Sequence, residues 1–342
     1  MNPNPAMAHL SDTLFTTAIG TYALAMVGYT AEYAFGRRGR IAATLPLTEP
    51  AHELIGSGAP TRPERDRRDV DPRALDATSS EPGTFADRIG RAAFGATLLG
   101  AAVHIASVAV RALAVDAVPW SNMYEFASVA GLVAVLAFAT LMWKVPRSRH
   151  LGGFILLPVI LLMFLAGTVL YSRAAPLVPA LQSYWLAIHV TLVSIAEGAL
   201  MTSAVLTVLF LMKQRFERRA DEPGRKLSTA MTFAARLPAS AVLDKVAYRV
   251  VAFAFPLYTV AIICGAIWGE AAWGRYWGWD PKETWAFIVW VVYACYLHAR
   301  ATAGWKGRTA AWVNLLGFGA ITFNFLIVNV VISGLHSYAG LT

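Results

Sequence analysis

The sequence predicts an all-α protein, a polytopic integral membrane bundle of about eight transmembrane helices with both termini extracytoplasmic. Three observations predict it. Of the 342 residues, 57% are hydrophobic and only 15% charged, against roughly 25% charged in soluble domains. The apolar residues form continuous runs near or above the roughly 20 residues that a helix needs to cross a bilayer, not the alternating pattern of a membrane barrel. Most Lys and Arg fall in alternate gaps between those runs, as expected of cytoplasmic loops. That placement accounts for the net charge of +8 and argues against nucleic acid as a partner.

Taken in order, the spans are expected at 13–35, 90–114, 125–143, 152–171, 184–212, 250–268, 284–300 and 311–333. The Met1 end lacks a basic n-region and a cleavage site, so the first span is read as retained. Residues 1–35 then form an N-terminal transmembrane helix. Residues 36–88 carry Arg37, Arg38, Arg40 and the run TRPERDRRDVDPR, which reads as a polar, disordered cytoplasmic linker. Residues 89–342 form the main membrane domain. Basic gaps follow spans three, five and seven on the same side as that linker. The opposite side receives DAVPWSNMY, SRAAPLVPALQS, a Trp-rich loop at 269–285 and the tail GLHSYAG. Cys264 and Cys295 lie in apolar spans without a C-x-x-C pattern and read as small core residues.

The stretch WGRYWGWDPKETW, Trp273 to Trp285, sets four tryptophans beside an Asp-Pro-Lys-Glu turn. Asp280 suits an N-cap, Pro281 the first helical position, and Glu283 completes a capping-box pattern. Span seven should therefore start here, with its free N–H groups and positive dipole end facing the loop. Arg275 and Lys282 add positive charge. Interfacial tryptophan belts are common, but they explain a cluster around a capping turn less well than a binding surface does. A large flat ligand with an acidic edge fits, and haem is one.

Four of the seven histidines lie in or next to spans, where ionisable groups are costly and point to function. His189, near the start of span five, and His336, after span eight, share the depth of the Trp-rich loop. Two imidazoles approaching one iron is ordinary haem ligation. His298 lies eighteen residues beyond Asp280, roughly 27 Å along the helix at about 1.5 Å per residue. It is either structural or the mark of a second, inner site. His104 fits neither depth and reads as structural. Asn122 and Glu125 either cap a loop or support the site, and Glu197 inside span five has no assigned role.

The stretch WGRYWGWDPKETWAFIVWVVYACYLHAR resembles the signature loop and following helix of the CcsA/ResC cytochrome c biogenesis proteins, also labelled CcsB, which carry a Trp-rich WWD loop. PWSNMYE, SYWLAIHV and GLHSYAG are similar to that family too, and the resemblance covers roughly residues 95–342. It implies a subunit of a cytochrome c haem-lyase (synthase) in the cell (plasma) membrane, with its active site on the extracytoplasmic side. The expected reaction joins haem b to the C-x-x-C-H thiols of apocytochrome c. The resemblance implies that Trp273, Trp277 and Trp279 pack on the porphyrin and that Asp280 sets the turn; from charge alone, Arg275 or Lys282 is expected to meet a propionate. The resemblance further implies that His189 and His336 ligate the iron outside, and that His298 holds haem during passage with a ligand from a ResB/Ccs-type partner protein. Two other readings stay open: a haem transporter without ligation activity, and a structural or electron-transfer subunit of a respiratory complex.

Overall fold

The computed structural model describes residues 3–35, 85–119, 121–144, 149, 151–175, 181–220, 234–235 and 237–336. Of the linker expected at 36–88, residues 36–84, with His52, lie outside the described residues, as does the boundary residue His150, whereas 85–88 belong to a helix. Eight long helices form among the described residues. They are α1 (Pro5–Phe35), α2 (Phe85–Val115), α3 (Met123–Lys144), α4 (Gly152–Thr168), α5 (Tyr184–Ala220), α6 (Ser240–Trp273), α7 (Pro281–Ala301) and α8 (Arg308–Phe323). A π-helical turn, Asn324–Val328, continues α8.

Each expected span corresponds to one helix. Six of them are long and apolar enough to cross a membrane, which makes the chain a multi-pass membrane protein by helix length and composition. The other two differ from expectation. Helix α4 has 17 residues, short of the roughly 20 that a bilayer requires. Helix α7 carries Lys282 and Glu283 in its first turn and His298 and Arg300 in its last, which lowers its overall apolarity. Helices α5 and α6 also run past the apolar segments, to Ala220 and back to Ser240. Hydropathy marks where lipid would end, whereas a helix continues for as long as its backbone bonds and side-chain partners persist. On α6 the polar extension is pinned by Arg300, whose guanidinium donates to both oxygens of Asp244 at 2.7 and 3.0 Å.

Helix α1 packs along α2, and α5 along α6; these are the most extensive pairings. One core joins α1 to α4 through Tyr22, Tyr29, Phe138, Ile155 and Met163. A second joins α5 to α8 through Leu200, Val251, Tyr258, Val289 and Tyr293. Several polar groups inside the bundle are paired across helices, as apolar surroundings favour. Asn314 of α8 donates from Nδ2 to Ser203 and Thr207 of α5 at 2.9 and 2.7 Å, and Ser203 in turn donates to the Ala247 carbonyl of α6. His104 is fully buried between Ser128, 2.9 Å from Nε2, and Tyr22, 3.4 Å from Nδ1. It is a satisfied core histidine linking α1, α2 and α3. Of the cysteines, Cys264 is buried as expected, whereas Cys295 is exposed on α7.

The two ends of the bundle carry different ion pairs. At one end Arg149 donates to Glu32 and Asp87 at 2.7 and 3.0 Å. At the other, buried Arg111 of α2 donates to Glu125 at the start of α3 at 2.9 Å and to the Ser172 carbonyl, with Asp12 of α1 3.5 Å away. Asn122 caps α3 by accepting from the Glu125 N–H, and the Glu125 carboxylate accepts from both the N–H and the hydroxyl of Ser121. The Glu125 side chain therefore braces this end of the bundle, while Ser121 and Asn122 reach a cavity that opens there.

Candidate functional site

The cavity begins where α6 ends. Gly274 closes α6 in the left-handed conformation (φ 69°), its N–H donating to the Glu270 carbonyl at 2.8 Å; only glycine takes this position without steric cost. The chain then folds around the Glu283 carboxylate, which accepts from the Gly278 and Asp280 N–H groups at 2.8 and 3.1 Å. Trp279 is held at φ 59°, a rare conformation for a bulky residue. The Thr284 hydroxyl locks it by donating to the Trp279 carbonyl at 3.2 Å. The capping box expected from Asp280 and Glu283 is present, with Pro281 at the first helical position.

Asp280 does more than start a helix. Its carboxylate also accepts from the Leu335 N–H at 2.7 Å and from the His336 ring at 2.9 Å, so the segment after α8 is drawn onto the start of α7. Burial alone would raise this carboxyl. Hydrogen bonds from the His336 ring and the Leu335 N–H outweigh burial and hold its pKa down at about 2. Because Nδ1–H of His336 donates to the carboxylate, the lone pair of that ring sits on Nε2.

His189 is prepared in the same way. Its Nδ1 lies 2.7 Å from the Ala261 carbonyl of α6. A carbonyl only accepts, so Nδ1 carries the proton and Nε2 the lone pair. Helix α6 meets this ring so closely that a β-carbon on Gly265 would lie 2.7 Å from it. Between the two histidines stands Trp268, buried, nearly parallel to His189 (15°, centroids 6.3 Å apart) and edge-on to His336 at 5.9 Å. Trp273 packs on both Trp268 and His336, at 4.7 and 5.1 Å.

His189, His336, Trp268, Trp273 and Trp277 all line one cavity, open at one side. Lys282 lines it too, its ammonium donating to the Asn324 carbonyl at 3.2 Å, together with Glu197 and Tyr258. Asn324, in the π-helical turn, is 3% exposed, and its Oδ1 is buried without a partner. π-helical turns recur at functional sites.

Three expected residues lie elsewhere. Trp279 is 64% exposed and stands outside the cavity, packed edge-on to Trp277 and Phe287. Arg275 also lies outside the lining, its guanidinium pressed against Gly278. His298 is exposed on α7, outside the cavity. Sequence reasoning missed Trp268, Gly265, Asn324 and the facing of Glu197 toward Lys282. A tryptophan five residues before Trp273 and an acidic residue inside an apolar run were the available signals.

Two imidazoles set by carbonyl and carboxylate partners, in an aromatic-walled cavity, form a donor set suited to a metalloporphyrin. His189 and His336 are the side chains that would hold its iron. Among the described residues no three His, Cys, Asp or Glu side chains gather as a site for a bare metal ion.

Comparison with known proteins finds that a family described as cytochrome C assembly protein matches residues 120–336. Among curated proteins, a cytochrome c biogenesis protein CcsA from Guillardia theta is 35% identical over 259 residues, covering 72% of this chain and 85% of the relative. Proteins of the same name from Trieres chinensis and Synechococcus elongatus are 38% and 39% identical, and the match covers 78% of each.

Proposed function

This chain belongs to the cytochrome c assembly protein family, and we propose that it is the haem-handling subunit of a membrane cytochrome c synthase. The observation that carries this reading is the convergence of His189 and His336 on one cavity, each with Nδ1 engaged by a fixed acceptor.

The substrate supplies the reactive groups. Each thiol of an apocytochrome C-x-x-C-H segment adds across one haem vinyl group: a C–S bond forms, the thiol hydrogen ends on the other vinyl carbon, and nothing leaves. The chain's residues bind and orient. Trp273 and Trp277 offer apolar faces. His189 and His336 would hold the iron through Nε2, with Nδ1 of each engaged by Ala261 and Asp280. Asp280 ties the His336 segment to the loop, so displacement of His336 by the incoming histidine of the substrate would also loosen that segment. Trp279, exposed at the edge of the loop, suits contact with the apocytochrome.

His298 serves a second, inner site. Its ring is exposed and makes no side-chain hydrogen bond among the described residues, which supports a ligand role shared with a ResB/Ccs-type partner. The loop end of the bundle faces the extracytoplasmic side of the cell membrane, opposite the basic gaps.

The test is the chain purified with its partner, haem and an apocytochrome peptide. Covalent haem on the peptide is expected, with loss of a two-histidine spectrum in His189→Ala and His336→Ala. Haem bound but never attached would favour the transporter, and wild-type spectra in both variants would end the site assignment.

A further inference from the structure

The cavity has two chemically different ends. Its loop end holds Trp273, Tyr276 and Trp277 together with the carboxylate of Glu283. The other end, the floor, is polar. Glu197 lies eight residues beyond His189 on α5, about 12 Å farther from the loop at 1.5 Å per residue. Tyr258 precedes Ala261 on α6, and Asn324 lies twelve residues before His336. Lys282 starts near the loop, but its ammonium reaches the Asn324 carbonyl at the floor.

We propose, on the basis of the haem-handling reading above, that this floor receives the propionate edge of the porphyrin and so leaves the vinyl edge at the loop. A propionate at the loop end meets the Glu283 carboxylate, and Arg275, the basic side chain of the loop itself, is turned against Gly278 outside the lining. At the floor it meets Lys282, whose ammonium has three donors and gives one to Asn324. In apolar surroundings a charge-assisted bond of this kind is stronger than at a surface. Lys282 and Glu197 both face the cavity and attract one another, with no hydrogen bond between them among the described residues. Glu197 in its acid form donates O–H to a propionate oxygen, the hydrogen-bonded arrangement of a carboxylic acid beside a carboxylate. On the macrocycle the two vinyl groups lie opposite the two propionates. Anchoring one edge at the floor therefore delivers the other to the mouth, where thiols arrive. Lys282 and Glu197 are thus substrate-orienting residues, remote from the bonds that form.

The experiment uses the full chain with its partner and two probes, haem b and haem b dimethyl ester, in which both propionates are esterified. Wild-type protein is expected to bind haem b roughly tenfold or more tightly than the ester. Lys282→Met should abolish that preference by weakening haem b alone, while the ester keeps the two-histidine spectrum and so reports an intact fold. Lys282→Arg and Glu197→Gln, which keep a donor, should keep the preference. If Lys282→Met discriminates as well as wild type, the orientation is wrong while the haem-handling reading stands. If wild type binds neither probe, both fail.

Discussion

Replacing Gly265 by alanine should disable His189 without touching it. The added β-carbon would lie 2.7 Å from Cε1 and Nδ1 of the ring and 3.4 Å from Cγ. Non-bonded carbons rest at about 3.5–4.0 Å, so the ring must retreat by roughly 1 Å. Two contacts resist. Nδ1–H is bonded to the Ala261 carbonyl on the same helix at 2.7 Å, and Trp268 stands parallel to the ring. A retreat of that size would stretch the bond to about 3.7 Å, beyond the ~3.2 Å limit for N–H···O. Overpacking and the lost bond together cost about 2–4 kcal/mol. Without the carbonyl the tautomer is no longer held, and Nε2 no longer aims reliably into the cavity. The assay is the absorption spectrum and haem content of the purified protein, with thermal unfolding alongside. Gly265→Ala should resemble His189→Ala in spectrum and unfold at lower temperature. A variant with wild-type haem content, spectrum and midpoint would refute the claim that α6 positions this histidine.

Other expectations concern neighbouring groups. Asp280→Asn keeps an N-cap of similar quality but loses the charged partner of His336, so helix stability should hold while the spectrum shifts. Asp280→Ala removes both, and should add about 0.5–2 kcal/mol of destabilisation. Asp280 falls from an ordinary 3.8 to about 2 in the folded protein, so its stabilising contribution is full above about 4 and is lost as pH falls toward 2. Protection of the Leu335 amide against hydrogen exchange should follow that window in wild type, and Asp280→Asn should remove the transition. Glu125→Ala strands the buried Arg111 guanidinium, for which a loss of about 3–5 kcal/mol is expected in denaturation. His104→Leu should lower the unfolding midpoint through Ser128 yet leave the haem spectrum unchanged; a lost spectrum would make His104 a functional residue.

Much of the fold was legible because a bilayer imposes its own arithmetic: long apolar runs become helices, and among the described residues each of the eight runs falls on one helix. Helix ends were less legible, as α5 and α6 show, since charged partners such as Asp244 and Arg300 extend a helix past its apolar segment. The start of α7 was legible to the residue, because Asp-Pro-Lys-Glu satisfies backbone donors with its own side chains and needs no distant partner. The histidines were legible as a pair at one depth. Their hydrogen-bond partners were not, because Ala261 offers only a backbone carbonyl, which every residue carries.

By itself, then, the sequence determined what is local or periodic: the helices, the capped loop and the place of each histidine along its helix. Tertiary structure alone decided which side chains share a space. It put Trp268 between two imidazoles, brought Lys282 to the level of Glu197, and turned Arg275 and Trp279 away from the cavity. The reason is that lateral packing joins helices far apart in the chain, and rotation about each helix axis decides which faces meet.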